Sequence, residues 1–425
     1  MARPNILYLH SHDTGRYIQP YGHAVPTPNL QRFAEQGVLF RQAYCANPTC
    51  SPSRASLLTG QYAHSNGMYG LAHMGFSLHD MQHHLIHTLH ANGYTSALSG
   101  IQHVAEKDEM VGYRTLLGDY QNAHTQAVDY LDNHPQQPFF LSVGFVETHR
   151  AFPAEPDENP AYCLPPAPFP DAPETREDMA RYKASARILD EKMGMVLDAL
   201  DRNGLTENTL VICTTDHGIA FPAMKCNLTD HGTGVMLMMR GPGGFNGGRV
   251  IDSLVSQVDL FPTLCDLLEI PAPDWLQGMS MMPLIHGEAD RIRDQVFAEV
   301  NFHITYEPAR CVRTSRYKYI RRFDDRLLPV LPNCDDSLSK TFWLEHGWRD
   351  MPLPQEALYD LTFDPNEAHN LVADPQHNDI LNDMRERLER WMRDTDDPLL
   401  KGDMPVPPGA IVGKADAVSL NDSLP

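Results

Sequence analysis

The chain has 425 residues, with 34 Lys and Arg against 55 Asp and Glu, a formal charge of −21. That acidic excess excludes a nucleic-acid binder, whose affinity rests on neutralising phosphates with basic side chains. An anionic substrate would have to meet local positive charge against a repulsive overall field. The hydrophobic share of 42% and charged share of 21% describe a folded globular chain and exclude a disordered or fibrous one.

The apolar run Asn5–Leu9 predicts a buried strand ending in the polar group His10-Ser11-His12-Asp13. Thr27 and Pro28 form a helix start, and Gly37 a stop. Val38–Ala43 and Thr95–Leu98 read as strands, with a helix expected over His79–Asn92 between them. Phe139–Phe145 and Thr209–Thr215 are continuous apolar or β-branched runs of the buried parallel kind. A helix fills Glu177–Arg202, and the Pro-rich stretch Pro153–Pro173 is a long loop. This alternation predicts an α/β catalytic domain over residues 1–290 with a large, mostly parallel central sheet flanked by helices.

Beyond residue 290 the pattern changes. Arg310–Arg322 reads as two short strands around Ser315-Arg316, and Ala357–Leu361 as a third. Asn378–Arg393 reads as a helix that buries Leu381, Met384, Leu388, Trp391 and Met392. A smaller α+β subdomain, an antiparallel sheet covered by one helix, is therefore expected over 291–402, and 403–425 as a tail. No apolar run is long enough for a membrane helix, and no signal-peptide pattern opens the chain. The eight cysteines are scattered without a CxxC pair, which argues against a disulfide framework or structural zinc. A cytoplasmic protein with reduced thiols, no membrane contact and no nucleic-acid partner is the expectation.

The most informative stretch is Thr49-Cys50-Ser51-Pro52-Ser53-Arg54-Ala55-Ser56-Leu57-Leu58-Thr59-Gly60. Ser51 suits an N-cap, Pro52 a first helical position and Gly60 a C-terminal stop. Cys50 is then placed beside a helix N-terminus, where unpaired N–H groups favour an anion, and Arg54 lies one turn further on. An arginine there can fork onto a tetrahedral oxyanion. For an isolated cysteine, a small buried residue beside an ordinary capped helix would be the simpler explanation.

Cys-x-Pro-Ser-Arg followed by Ala-Ser-Leu-Leu-Thr-Gly resembles the signature of the type I sulfatases. The extension His64-Ser65-Asn66-Gly67-Met68-Tyr69-Gly70-Leu71 is most similar to the heparan N-sulfatase (sulfamidase) branch, and the likeness runs from residue 4 to about 402. The resemblance implies an alkaline-phosphatase-like fold and a sulfohydrolase acting on a sulfate ester or sulfamate, on a sugar or glycosaminoglycan fragment. It implies that a maturation enzyme oxidises Cys50 to formylglycine, whose hydrate attacks sulfur and passes through a covalent sulfo-enzyme intermediate. A base then releases sulfate and regenerates the aldehyde. It also implies one divalent cation.

Metal-ligand candidates follow two strand ends: Asp13, with His12 where the family has a further aspartate, and Asp216 with His217. Cys50 joins them as the modified ligand. The family implies calcium, whereas two imidazoles favour manganese or another transition metal. By motif, His103 in Gly100-Ile101-Gln102-His103 is the base, and Ile101 replaces a customary lysine that Lys107 could substitute. His149 is the leaving-group acid and a sulfate contact, and Arg54 and Lys225 are basic groups of the sulfate pocket. His303 and Arg310 are candidates to reach the sugar. His79, His83, His87 and His90 share one face of the expected helix and are read as an ordinary polar face. Two rival readings are a phosphonate or phosphate monoester hydrolase on the same scaffold, and a sulfated-glycan binder without catalysis.

Overall fold

The computed structural model describes residues 3–424. Eight strands form the central sheet: β1 (Asn5–Ser11), β2 (Val38–Tyr44), β3 (Thr95–Gly100), β4 (Thr115–Leu116), β5 (Phe139–Gly144), β6 (Thr209–Thr215), β7 (Leu237–Arg240) and β8 (Arg249–Ser256). Their order is β4-β3-β5-β1-β6-β7-β2-β8. Strand β7 runs antiparallel to β6 and β2, and the other neighbours are parallel.

Both faces of the sheet are covered, which is why β1, β5 and β6 are buried throughout and mostly apolar. Leu7, Leu9, Leu141, Val143 and Val211 pack on one face against Phe33, Leu189 and Met193. Ile6, Tyr8, Phe140, Leu210 and Ile212 point the other way, towards the cluster holding Leu57, Leu58, Phe261 and Leu264. The alternation follows from the two-residue period of a strand.

A second, antiparallel sheet has the order β12-β11-β10-β9, from β9 (Gln295–Phe302), β10 (Tyr306–Thr314), β11 (Tyr317–Arg322) and β12 (Glu356–Asp360). The helix Asn378–Asp394 covers it, burying the five residues expected on its apolar side against Val312, Tyr319 and Leu358.

Two expectations need correction. The segment His79–Asn92 is not one helix: a 3-10 turn at Met81–His83 and the helix Leu85–Ala91 are separated at His84, which is extended and whose imidazole caps Ile86 N–H. The tail is not a loose appendage either. Met404 is buried, Ile411 N–H donates to the Met74 carbonyl at 2.8 Å, and Gly413 N–H donates to the Ile304 carbonyl at 2.7 Å. Val412 and Leu420 pack on the main core, so the segment straps the loops beside the carboxyl edge of the sheet.

Candidate active site

Strands β1 and β6 lie side by side in parallel with Ser11 opposite Thr215, so the residues after both strands emerge at one place. Asp13 leaves the strand in a left-handed conformation (φ 48°), which aspartate tolerates, and its N–H donates to Asp216 Oδ1 at 2.8 Å. The helix Cys50–Thr59 points its first turn at the same spot. Its cap is Thr49, two positions earlier than expected, so Pro52 is the third helical residue. Ser51 Oγ instead accepts a hydrogen bond from Ala72 N–H of the next loop. Ser53 Oγ donates to the Asp216 carbonyl and Gln257 Nε2 to that of Thr215, tying this helix to the end of β6.

Around Cys50 the expected groups converge. His217 Nε2 is 3.4 Å from Cys50 Sγ, 3.4 Å from Asp13 Oδ1 and 3.7 Å from Asp216 Oδ2. His12 Nδ1 is 3.1 Å from Asp216 Oδ2. His12, Asp13, Cys50 and Asp216 each offer a ligand atom within 4.8 Å of the others, and all four are buried. His217 Nδ1 sits 3.0 Å from the Gly218 carbonyl; donation there leaves Nε2 as the lone pair facing the carboxylates.

Lys225 Nζ bridges Asp13 Oδ2 at 2.9 Å and Asp335 Oδ2 at 3.1 Å. Arg54 donates to Asp216 Oδ2 at 3.0 Å, to the Ser11 carbonyl at 2.8 Å and to the ring of His10. Its terminal nitrogens therefore hold a carboxylate in place, and only Nε lacks a partner. The fork expected to meet a tetrahedral oxyanion is thus held by Asp216, Ser11 and His10.

Electrostatics follow the burial. Burial pushes the Cys50 thiol well up, against Lys225, which pulls it down. Burial opposes ionisation of Asp216 too, but His217, Arg54 and His12 together hold it well below the ordinary carboxylate range. Burial, then Arg54, keeps His12 neutral and able to ligate. The same causes, with His73, lower His103 to about 3. Lys225 stays charged because Asp13 and Asp335 outweigh its burial.

The donor set fits a divalent cation. Asp13 Oδ1 and His12 Nε2 are buried without hydrogen-bond partners, which is costly in the absence of a positive ligand. Two carboxylates and two imidazoles form a mixed oxygen–nitrogen set of the kind that suits transition metals.

His103 stands at the rim, also in a left-handed conformation (φ 58°), with its ring 5.4 Å from that of His12. The ring of His149 is likewise 5.4 Å from His12. His303 is buried beside Lys225 and Asp335. Two expectations fail. Arg310 is fully buried, paired to Asp397 at 2.6 and 3.0 Å and to Glu299 at 3.4 Å, and no part of it is left for a sugar. Lys107 is exposed and bonds none of these site residues, so it does not stand in for the lysine lost at Ile101. His79, His83 and His90 engage Tyr69, Gln61 and Ser96 separately and do not converge on an ion.

Sequence reasoning missed His73, whose Nδ1 lies 3.3 Å from His103 Nε2, and Asp335. His73 could have been suspected from its place just after the Cys50 motif. Asp335 lies in a loop with no local pattern.

The sulfatase family model matches residues 4–270, and one for the C-terminal region of N-sulphoglucosamine sulphohydrolase matches 225–328. The chain belongs to the sulfatase family. This sulfatase is 30% identical to human N-sulphoglucosamine sulphohydrolase, across 93% of its own length and 91% of the relative's. Its fold, alkaline-phosphatase-like as expected, is shared with a solved 2-O GAG sulfatase at TM-score 0.74 (21% identity, 99% and 98% of the two chains). It is also shared with a phosphonate monoester hydrolase from Silicibacter pomeroyi at TM-score 0.71 (19% identity, 94% and 97%). Those two likenesses concern architecture alone, because one scaffold hosts several chemistries.

Proposed function

We propose that this sulfatase hydrolyses the sulfate ester or sulfamate of a small sugar or glycosaminoglycan fragment, with Cys50 acting after conversion to formylglycine by a maturation enzyme. The observation that carries the reading is Cys50 itself: a thiol on the first turn of a helix, buried among Asp13, Asp216, His12 and His217. A packing cysteine has no need of four polar neighbours.

In its matured form, position 50 supplies a geminal diol as nucleophile. Asp13, Asp216, His217 and His12 would hold one divalent cation, which supplies Lewis-acid stabilisation of the charged group being transferred. The imidazole pair favours manganese or a related transition metal over calcium. The remaining work falls to the chain's own side chains. Arg54 fixes Asp216, so the ligand carboxylate does not reorient during turnover. Lys225 provides the local positive charge that an anion needs on so acidic a protein.

His103, half-buried and neutral, is set to take a proton from the residue-50 side chain and pass it to His73. His149 Nδ1 lies against the Arg150 carbonyl; with Nδ1–H donated there, Nε2 is the atom that gives a proton to the leaving oxygen or nitrogen. The eight buried thiols support a reducing compartment such as the cytoplasm.

The test is turnover by protein co-produced with a formylglycine-generating enzyme and loaded with manganese. The expected result is sulfate release from p-nitrophenyl sulfate and from N-sulfoglucosamine, lost by about 10³-fold or more in Cys50→Ala. Faster cleavage of phenyl p-nitrophenyl phosphonate would assign the protein to the phosphonate hydrolase reading. Tight sulfated-sugar binding without any turnover would make it a binder.

A further inference from the structure

Asp335 is an oddity in a site for an anionic sulfate ester or sulfamate. A carboxylate 3.1 Å from the lysine that would meet sulfate weakens the local positive charge, unless it recognises something else. It is also held there by construction. Asn333 Oδ1 accepts from the N–H groups of Ile304 and Thr305, both at 3.0 Å, and its Nδ2 donates to Glu307 Oε2 at 2.9 Å. Lys340 Nζ clamps the Cys334 carbonyl and Asp336 Oδ1, both at 2.7 Å. The loop around Asp335 is thereby fixed against the turn that carries His303, and it lies beyond residue 328, where the match to the C-terminal family model ends.

Lys225 occupies the Oδ2 side of the carboxylate, and 14% of the side chain reaches solvent. His303 next to it is buried, with Nδ1 lacking any partner. An acceptor and an unpartnered imidazole nitrogen, on two loops that Asn333 ties together, make a hydrogen-bonding pair for neutral donors.

We propose that Asp335 and His303 form a subsite for the hydroxyl groups of the sugar ring that carries the sulfate, and that this pair selects sugar sulfates over other sulfate esters. The subsite rests on the sulfohydrolase reading and refines its substrate class. A ring hydroxyl donates to Asp335 and accepts from, or donates to, His303. An aryl sulfate has no such hydroxyls and gains nothing from the pair.

Asp335→Asn, matured and metal-loaded, separates these cases. For N-sulfoglucosamine, KM should rise about 10- to 100-fold, the loss expected for a charge-assisted hydrogen bond. For p-nitrophenyl sulfate, any fall in kcat/KM should be at least about tenfold smaller than the fall for N-sulfoglucosamine. Should the variant fold poorly by circular dichroism, competition on the unaltered enzyme decides instead: glucosamine should inhibit p-nitrophenyl sulfate turnover far better than cyclohexylamine. Equal losses on both substrates, no loss on either, or equal inhibition by the two amines would overturn the subsite. Absence of turnover of both N-sulfoglucosamine and p-nitrophenyl sulfate by the unaltered enzyme would instead overturn the sulfohydrolase reading, and the subsite with it.

Discussion

Lys225 joins two carboxylates that come from opposite ends of the sequence, Asp13 after β1 and Asp335 in the C-terminal unit. Lys225 and Arg54 together cannot balance the three carboxylates gathered there, and the unpartnered Asp13 Oδ1 still faces His12 and His217. Adding a metal to stripped protein should therefore raise its melting temperature. Manganese or zinc should raise it more than calcium at equal concentration, and His12→Ala should shrink that difference, as scanning calorimetry can show. Arg310 makes the opposite case. Removing it leaves Asp397 and Glu299 buried without their cation, so Arg310→Ala should cost about 3–5 kcal/mol in urea unfolding. An unchanged stability with a raised KM would return Arg310 to the substrate pocket.

The break at His84 shows how a helical pattern can mislead. Histidines at 79, 83, 87 and 90 have helical spacing, yet a buried imidazole capping Ile86 N–H stops the first turn and starts a second element. Burial, then His87 and His90, lowers His84 from 6.5 to about 3. The unfolded chain thus holds a proton that the folded chain refuses between those values. This contribution to stability is complete above 6.5 and is lost as pH falls through that window. From about pH 7 to about pH 5 the loss should be about 2 kcal/mol. His84→Asn keeps a capping side chain and should flatten that part of the pH dependence of denaturant midpoints; an identical slope in both proteins would refute it. Strands β1, β5 and β6 were legible in sequence because burial on both faces leaves an unbroken apolar run. Strand β8 was not, since Arg249, Val250 and Asp252 lie towards solvent at the sheet margin and carry no such run.

At the scale of the fold, the two sheets and the C-terminal strap close around one cleft. Ion pairs join the units: Lys318 meets Asp230 at 2.6 Å and Arg313 meets it at 3.2 Å. The strap holds Met74 and Ile304, neighbours of His73 and His303, so the histidine-bearing loops are fixed by the chain's far end. Such closure explains what the sequence could not reveal. Cys50, Arg54, Asp13 and Asp216 sit in short motifs or at strand ends, where local physics identifies them. Asp335 and His73 gain meaning only when distant loops meet, and Arg310 loses its expected role for the same reason.

All of this depends on the fate of residue 50. Peptide mass spectrometry across Thr49–Arg54, on protein made together with a formylglycine-generating enzyme, tests it most directly. The account predicts an aldehyde in place of the thiol in the active fraction. An intact cysteine there, when another sulfatase matured in the same cells carries the aldehyde, would contradict it.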